Sequence, residues 1–260
     1  MMRLTTFASG SSGNCALLTM DGVHILIDAG ISYRRICDNL ALSGILPEAL
    51  SAVLITHEHS DHIAGLQTLA KRCAAPICAP RTLAGELNRI VSGVAARLRV
   101  VPTDSPETVG ALTVRCFPTS HDVPESVGWR VEGSAVFAVA TDTGCVTPGI
   151  VSALTGADAV LLEANHDPDM LLAGPYPWPL KRRILSERGH LSNADCAALC
   201  ARLAESGTRQ FVLGHLSREN NSPARAFQTV SAALEGSGAV LCVAPAEERL
   251  TLEVTEPCCP

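Results

Sequence analysis

Aromatic residues are scarce in this chain of 260 residues: two Trp, two Tyr and five Phe amount to 3%. With 47% hydrophobic residues overall, a core has to be built largely from Ala, Val, Leu and Ile. That composition excludes disorder, collagen-like sequence and coiled coil. Long apolar runs are missing, which argues against a membrane span. The opening segment MMRLTTFASGSSGN has neither a sustained apolar stretch nor a small-residue cleavage site, so no secretory leader is expected. A basic excess is also missing. The net charge of −6 excludes a sequence-independent nucleic-acid coat, though not a local site. Finally, the eleven cysteines form no C-x-x-C pair. They read as reduced thiols of a cytoplasmic protein, acting as small buried hydrophobes outside any electropositive motif. Cys258 and Cys259 in the tail do not fit a prenylation box.

What is present is a regular alternation. Short runs rich in Val, Ile and Leu alternate with turn signals and with segments of helical period, the pattern of a layered α/β or α+β domain. Strands are expected near 3–8, 15–20, 23–28, 52–56, 97–101, 111–117, 127–131, 135–141, 158–163, 210–214, 239–243 and 250–254. Helices are expected near 63–73, 81–91, 147–154, 180–187, 193–206 and 223–235. Ser192 suits a helix N-cap, with Asp195 as reciprocal partner and Gly207 as stop. Cys196 and Cys200 then fall one turn apart and read as packing residues. The length fits a single domain over 1–260, and the irregular stretch 164–192 reads as a surface excursion from it.

The chemistry concentrates in SAVLITHEHSDHIAG. Here His57, His59, Asp61 and His62 follow an apolar strand and precede a helical pattern. Imidazole and carboxylate at that density, on a loop held by a strand end, provide two adjacent metal sites. The same grammar, an apolar strand ending on a ligand-capable residue, recurs at His121, Asp142 and His215. The seven residues divide into His57, His59 and His121 for one ion and Asp61, His62 and His215 for a second, with Asp142 as the bridge. Asp61 counts as a catalytic carboxylate as well. A lone histidine such as His24 reads as structural.

H-x-H-x-D-H followed by His, Asp and His at strand ends resembles the metallo-β-lactamase fold superfamily of hydrolases, which implies an α+β, four-layer αββα sandwich. His59, standing where the oxygen-reducing di-iron branch carries Glu, sets that branch aside. The strings SGSSGN, THEHSDH, ATDTG, YPWPLKRRILSERGHLSN and GHLSRENN closely resemble the WalJ/YycJ family, whose members are described as DNA exonucleases. Glu163 and His190 match positions where the related transfer-RNA processing nucleases carry a carboxylate and an imidazole acting together on the leaving group. The other possibility is that Glu163 merely ends a strand and His190 caps a helix. The transfer-RNA-binding arm of those nucleases has no room between His121 and Asp142.

Substrate contacts are expected from Ser11, Ser12 and Asn14, in a polar loop able to offer N–H and hydroxyl groups to a phosphate. The loop could equally be an ordinary tight connection. Lys181, Arg182 and Arg183, with Tyr176 and Trp178 upstream, suit phosphate neutralisation and base stacking or a solvated helical face. His166 either touches substrate or holds its loop. Together these readings predict a cytoplasmic exodeoxyribonuclease with two divalent ions, zinc or manganese. It would use a metal-bridged hydroxide as nucleophile and a Glu163-supported His190 as general acid. Nucleic acid, DNA foremost, is the expected partner, and no membrane is. A thioester, lactone or small cyclic-phosphate hydrolase on the same ligands is the alternative. A binding protein that keeps the fold without turnover is a third.

Overall fold

The computed structural model describes residues 1–103 and 105–254, so Cys258 and Cys259 lie outside the described residues. The strands are β1 (Met2–Ala8), β2 (Cys15–Met20), β3 (Val23–Ile27), β4 (Ala52–Leu54), β5 (Ile77–Ala79), β6 (Leu98–Val100), β7 (Glu107–Val109), β8 (Leu112–Pro118), β9 (Val127–Glu132), β10 (Val136–Ala140), β11 (Ala159–Glu163), β12 (Gln210–Gly214), β13 (Val240–Val243) and β14 (Leu250–Val254). They form two sheets, ordered β14-β1-β2-β3-β4-β5-β6 and β13-β12-β11-β10-β9-β8-β7. Each sheet is half antiparallel and half parallel, the parallel halves being β3 to β6 and β10 to β13. Parallel strands are joined by helical crossovers, so their carboxyl ends collect on one edge, where such sheets place their sites.

The helices are α1 (Tyr33–Leu42), α2 (Ser60–Ile63), α3 (Leu66–Arg72), α4 (Arg81–Ile90), α5 (Pro148–Leu154), α6 (Pro168–Ala173), α7 (Trp178–Ile184), α8 (Asn193–Glu205) and α9 (Pro223–Ala233). Period-two alternation sorts the strand side chains into layers. Leu18 and Ile25, with Val114, Leu161 and Val212, fill the space between the sheets. Leu17 and Leu26 face outward onto α1, α3 and α4, while Val160 and Leu162 face α5, α8 and α9. The result is the four-layer αββα sandwich. Among the described residues no helix is long and apolar enough to cross a membrane.

Trp129 of β9 is fully buried between the sheets, and its Nε1 donates to the Ile55 carbonyl at 3.0 Å. That bond, with Val127 N to Thr56 O at 3.0 Å, pins the strand end ahead of the histidine cluster.

Some elements depart from the sequence expectation. The three-residue β5 and β7 are too short for alternation to register. A single helix over 63–73 is instead two, α2 and α3. At the break, Gly65 donates its N–H to Ala29 O at 2.8 Å, and a Cβ there would lie 2.2 Å from Ile31 O. Unforeseen α1 carries its own signal, a Ser32 side chain capping Arg35 N and a buried Ile36–Leu40 stripe. Ser192 caps Asp195 N as expected, and its Oγ donates back to Asp195 Oδ2 at 2.6 Å. The Cys196 and Cys200 sulfurs lie 3.9 Å apart inside the core.

Candidate metal centre

β4 leads through Ile55 and Thr56 into the histidine loop, and α2 starts with His59 as its N-cap. β8 delivers His121, β10 delivers Asp142, β11 ends on Glu163 and β12 hands over to His215. Asp61 is drawn in by a close backbone approach. Its carbonyl accepts from Asn14 N at 2.7 Å, and a Cβ on neighbouring Gly30 would lie 1.7 Å from it, so only glycine fits.

These side chains converge in two groups. In the first, His57 Nε2 and His121 Nε2 lie 3.1 and 3.3 Å from His59 Nδ1. In the second, His62 Nε2 and His215 Nε2 lie 3.5 and 3.4 Å from Asp61 Oδ2. Asp142 reaches both, with Oδ2 3.2 Å from His62 Nε2 and Oδ1 3.5 and 3.7 Å from His215 and His121 Nε2. Within each of the two outer triads the ligand atoms lie within 4.8 Å of one another.

The outward nitrogens fix which way each ring presents its lone pair. His121 Nδ1 donates to the Gly189 carbonyl at 3.0 Å, and His62 Nδ1 to Asp28 Oδ2 at 2.7 Å. Thr56 Oγ1 donates to Asp28, which leaves it to accept from His57 Nδ1 at 3.1 Å. His215 Nδ1 donates to Glu163 Oε1 at 3.0 Å. Four Nε2 atoms thus point inward, those of His62, His121 and His215 towards carboxylate oxygens. The cluster calls for positive charge at its centre, which a divalent ion or protons on His62 and His215 would supply.

Two further observations agree. Asp142 Oδ2 is buried without a hydrogen bond. Burial opposes charge on His62, yet Asp142 and Asp28 push it up to about 10; His215, also buried, is held well above the imidazole range by Asp142, Asp61 and Glu163. Imidazole with carboxylate is a donor set for divalent ions such as zinc or manganese. Asp28, Asp142 and His215 all hold left-handed backbone, with φ of 57, 55 and 54°.

Glu163 is fully buried; burial alone would raise its pKa, but His190 and His215 bring it down to about 2. Its Oε1 accepts from His190 Nδ1 at 2.7 Å as well as from His215, and its Oε2 accepts from Thr143 N and Leu191 N at 2.9 and 3.3 Å. Burial disfavours the His190 imidazolium, but Glu163 and then Asp142 raise its pKa overall. His190 lines a cleft with Ser11, His121, Asp122, Tyr176 and Arg183. With Nδ1 committed inward, Nε2 is the nitrogen available to a bound molecule.

The other expected contact residues are dispersed. Ser11 lines the cleft, whereas Ser12 Oγ accepts from Arg218 at 2.8 Å. Asn14 is a correction: its carboxamide is engaged by Gly10 N and O at 2.9 and 3.0 Å and lies 3.0 Å from His62 Nε2, so it builds the site floor. Lys181 is a second correction. It is buried, and its Nζ donates to Leu172 O and Gly174 O at 2.6 and 2.8 Å, tying α7 to the end of α6 rather than facing a phosphate. Arg182 is exposed on α7, while Arg183, also exposed, is paired with Asp122. His166 is buried, both ring nitrogens without a partner. Sequence reasoning missed Asp28 and Thr56, although Asp28 shows the same strand-end placement in HILIDAG that singled out Asp142.

Residues 24–216 match the family described as Beta-lactamase superfamily domain. The exodeoxyribonuclease WalJ of Streptococcus pneumoniae is 38% identical over 232 residues, 88% of this chain and 86% of that protein. The exodeoxyribonuclease YycJ of Bacillus anthracis is 34% identical over 239 residues, 91% of this chain and 90% of that one. Among solved structures, the metallo-beta-lactamase fold protein YhfI of Bacillus subtilis superposes with a TM-score of 0.77 at 17% identity, covering 97% of this chain and all of its own. With histidines and carboxylates gathered at strand ends on one edge of a double sheet, the chain belongs to the beta-lactamase superfamily and, within it, to the WalJ/YycJ family.

Proposed function

We propose that this protein is an exodeoxyribonuclease that hydrolyses DNA phosphodiester bonds with two divalent ions, zinc or manganese. His57, His59 and His121 would hold one ion, Asp61, His62 and His215 the other, and Asp142 both. Bound there, the ions supply water activation and charge stabilisation at the phosphoryl oxygens. Asp61, its side chain 20% exposed, would take the proton of an incoming water on the carboxylate oxygen not given to the ion. His190 protonates the departing alkoxide from Nε2 while Glu163 orients the ring and supports its positive charge. DNA as substrate and attack from an end are supported by the names of the two bacterial relatives. A cytoplasmic setting is supported by cysteines such as Cys15, Cys73 and Cys196, which stand as reduced thiols.

The observation that carries the reading is the 2.7 Å bond from His190 Nδ1 to Glu163 in a cleft beside the ligand groups. His190→Ala should keep both ions and lower the rate on a natural phosphodiester by roughly 10²–10⁴-fold. On a nitrophenyl ester, whose leaving group departs without a proton, the loss should largely vanish. Equal losses on both substrates, or a missing ion, would remove His190 from the acid role.

A further inference from the structure

Asp122 belongs to neither ligand group, yet it stands at their mouth. Its Oδ1 is buried without a hydrogen bond, 3.3 Å from His121 Nε2 and 3.8 Å from His59 Nε2. Because His121 Nδ1 carries its proton towards Gly189 O, the Nε2 facing Asp122 is a lone pair. An anionic oxygen is therefore held against the open side of the His57–His59–His121 group. Its other oxygen, Oδ2, is forked by Arg183 Nε and a terminal nitrogen. Arg183 comes from α7, its side chain is 57% exposed, and it is the one arginine or lysine among the described residues that line the cleft. A carboxylate between a metal-binding cluster and a guanidinium has the charge and the two-sided placement of a bound phosphate.

We propose that Asp122 is a built-in stand-in for the substrate phosphate, and that Arg183 is exchanged from Asp122 to the phosphate when substrate enters. The inference rests on the phosphodiester reading above and adds a source of selectivity to it. A phosphodiester brings an anion that takes the place of Asp122 on both neighbours, while the displaced carboxylate, its side chain 25% exposed, turns to solvent. A neutral lactone or lactam brings none, and would have to leave Arg183 on Asp122 with the mouth of the site still filled. Lys181, anchoring α7 through two carbonyls, fixes where Arg183 starts.

The test is inorganic phosphate binding to the zinc-loaded protein by calorimetry, with metal content measured on the same samples. Asp122→Asn removes the competing charge and should bind phosphate about tenfold tighter, with both ions retained. Arg183→Ala should bind it about tenfold weaker, again with both ions retained. Unchanged phosphate affinity in Asp122→Asn would reduce the pair to a surface ion pair and overturn the proposal. Loss of an ion in Asp122→Asn would make Asp122 a ligand and overturn it as well. Absence of DNA cleavage alongside the predicted phosphate shifts would leave the exchange standing and defeat the nuclease reading alone.

Discussion

Glu163→Gln is the most demanding substitution this site offers, because four donors meet on one buried carboxylate. Oε1 accepts from His190 Nδ1 and His215 Nδ1, and Oε2 from Thr143 N and Leu191 N. A carboxamide has one acceptor oxygen, so in either orientation two of these bonds are lost. At roughly 1.5–3 kcal/mol for each hydrogen bond to a charged group, the cost is about 3–6 kcal/mol. With the amide nitrogen towards the backbone, two N–H donors face a third donor and the fold loses stability. With it towards the imidazoles, His215 is no longer held as the tautomer that presents Nε2 to an ion. Expected outcomes are a melting temperature lower by about 10–20 °C, since 1 kcal/mol shifts it by roughly 2–4 °C at this size, and a loss of about one ion per chain. Rates should fall on natural and activated esters alike. Calorimetric melting, elemental analysis and the two rate ratios check this. A variant with wild-type melting and both ions, impaired only on the natural ester, would refute the shared role and leave Glu163 serving His190 alone.

Asp142→Asn, chosen over Ala because Asn tolerates the left-handed backbone at φ 55°, should lower the content of both ions and damage activity more than loss of any other single ligand. Elemental analysis with retained activity would remove Asp142 from between the groups. Arg182→Ala with Arg183→Ala should flatten the salt dependence of DNA binding by about one to two units of log–log slope, whereas Lys181→Met should leave that slope alone and lower stability; titrations at several salt concentrations separate the two. Chelating both ions should lower the melting temperature by about 10–20 °C, reversibly on adding zinc, if the free ion stands near a hundred times the dissociation constant of each site.

The reading of the strands succeeded where side chains alternate cleanly, as in β2, where Leu17 and Leu18 face opposite layers. It failed where tertiary contacts decide: Gly65 breaks a helical pattern only because Ala29 waits to accept its N–H. The histidine loop stands out because His57, His59, Asp61 and His62 fall within six residues, and His121, Asp142 and His215 at strand ends gain meaning only beside it. Lys181 shows the opposite case. Adjacent Lys181, Arg182 and Arg183 look alike in sequence, but one turn of helix sends one inward to two carbonyls, one to solvent and one to Asp122. Glu163 looked like a partner for His190, and nothing in the chain announced that the same oxygen also holds His215.

The left-handed backbone at Asp28, Asp142 and His215 sets the wishes of the fold against those of the site. Each such residue costs about 1–2 kcal/mol relative to ordinary backbone, less for the two aspartates than for the histidine. Glycine would relieve that strain, but at Asp28 it would give up the bonds from Thr56 and His62, and at buried His215 the bond to Glu163. At roughly 1.5–3 kcal/mol for each hydrogen bond to a charged group, those losses exceed the relief. The groups that orient the site therefore also hold its strained backbone in place, and a library sorted by melting temperature alone should retain Asp28 and His215 even without metal.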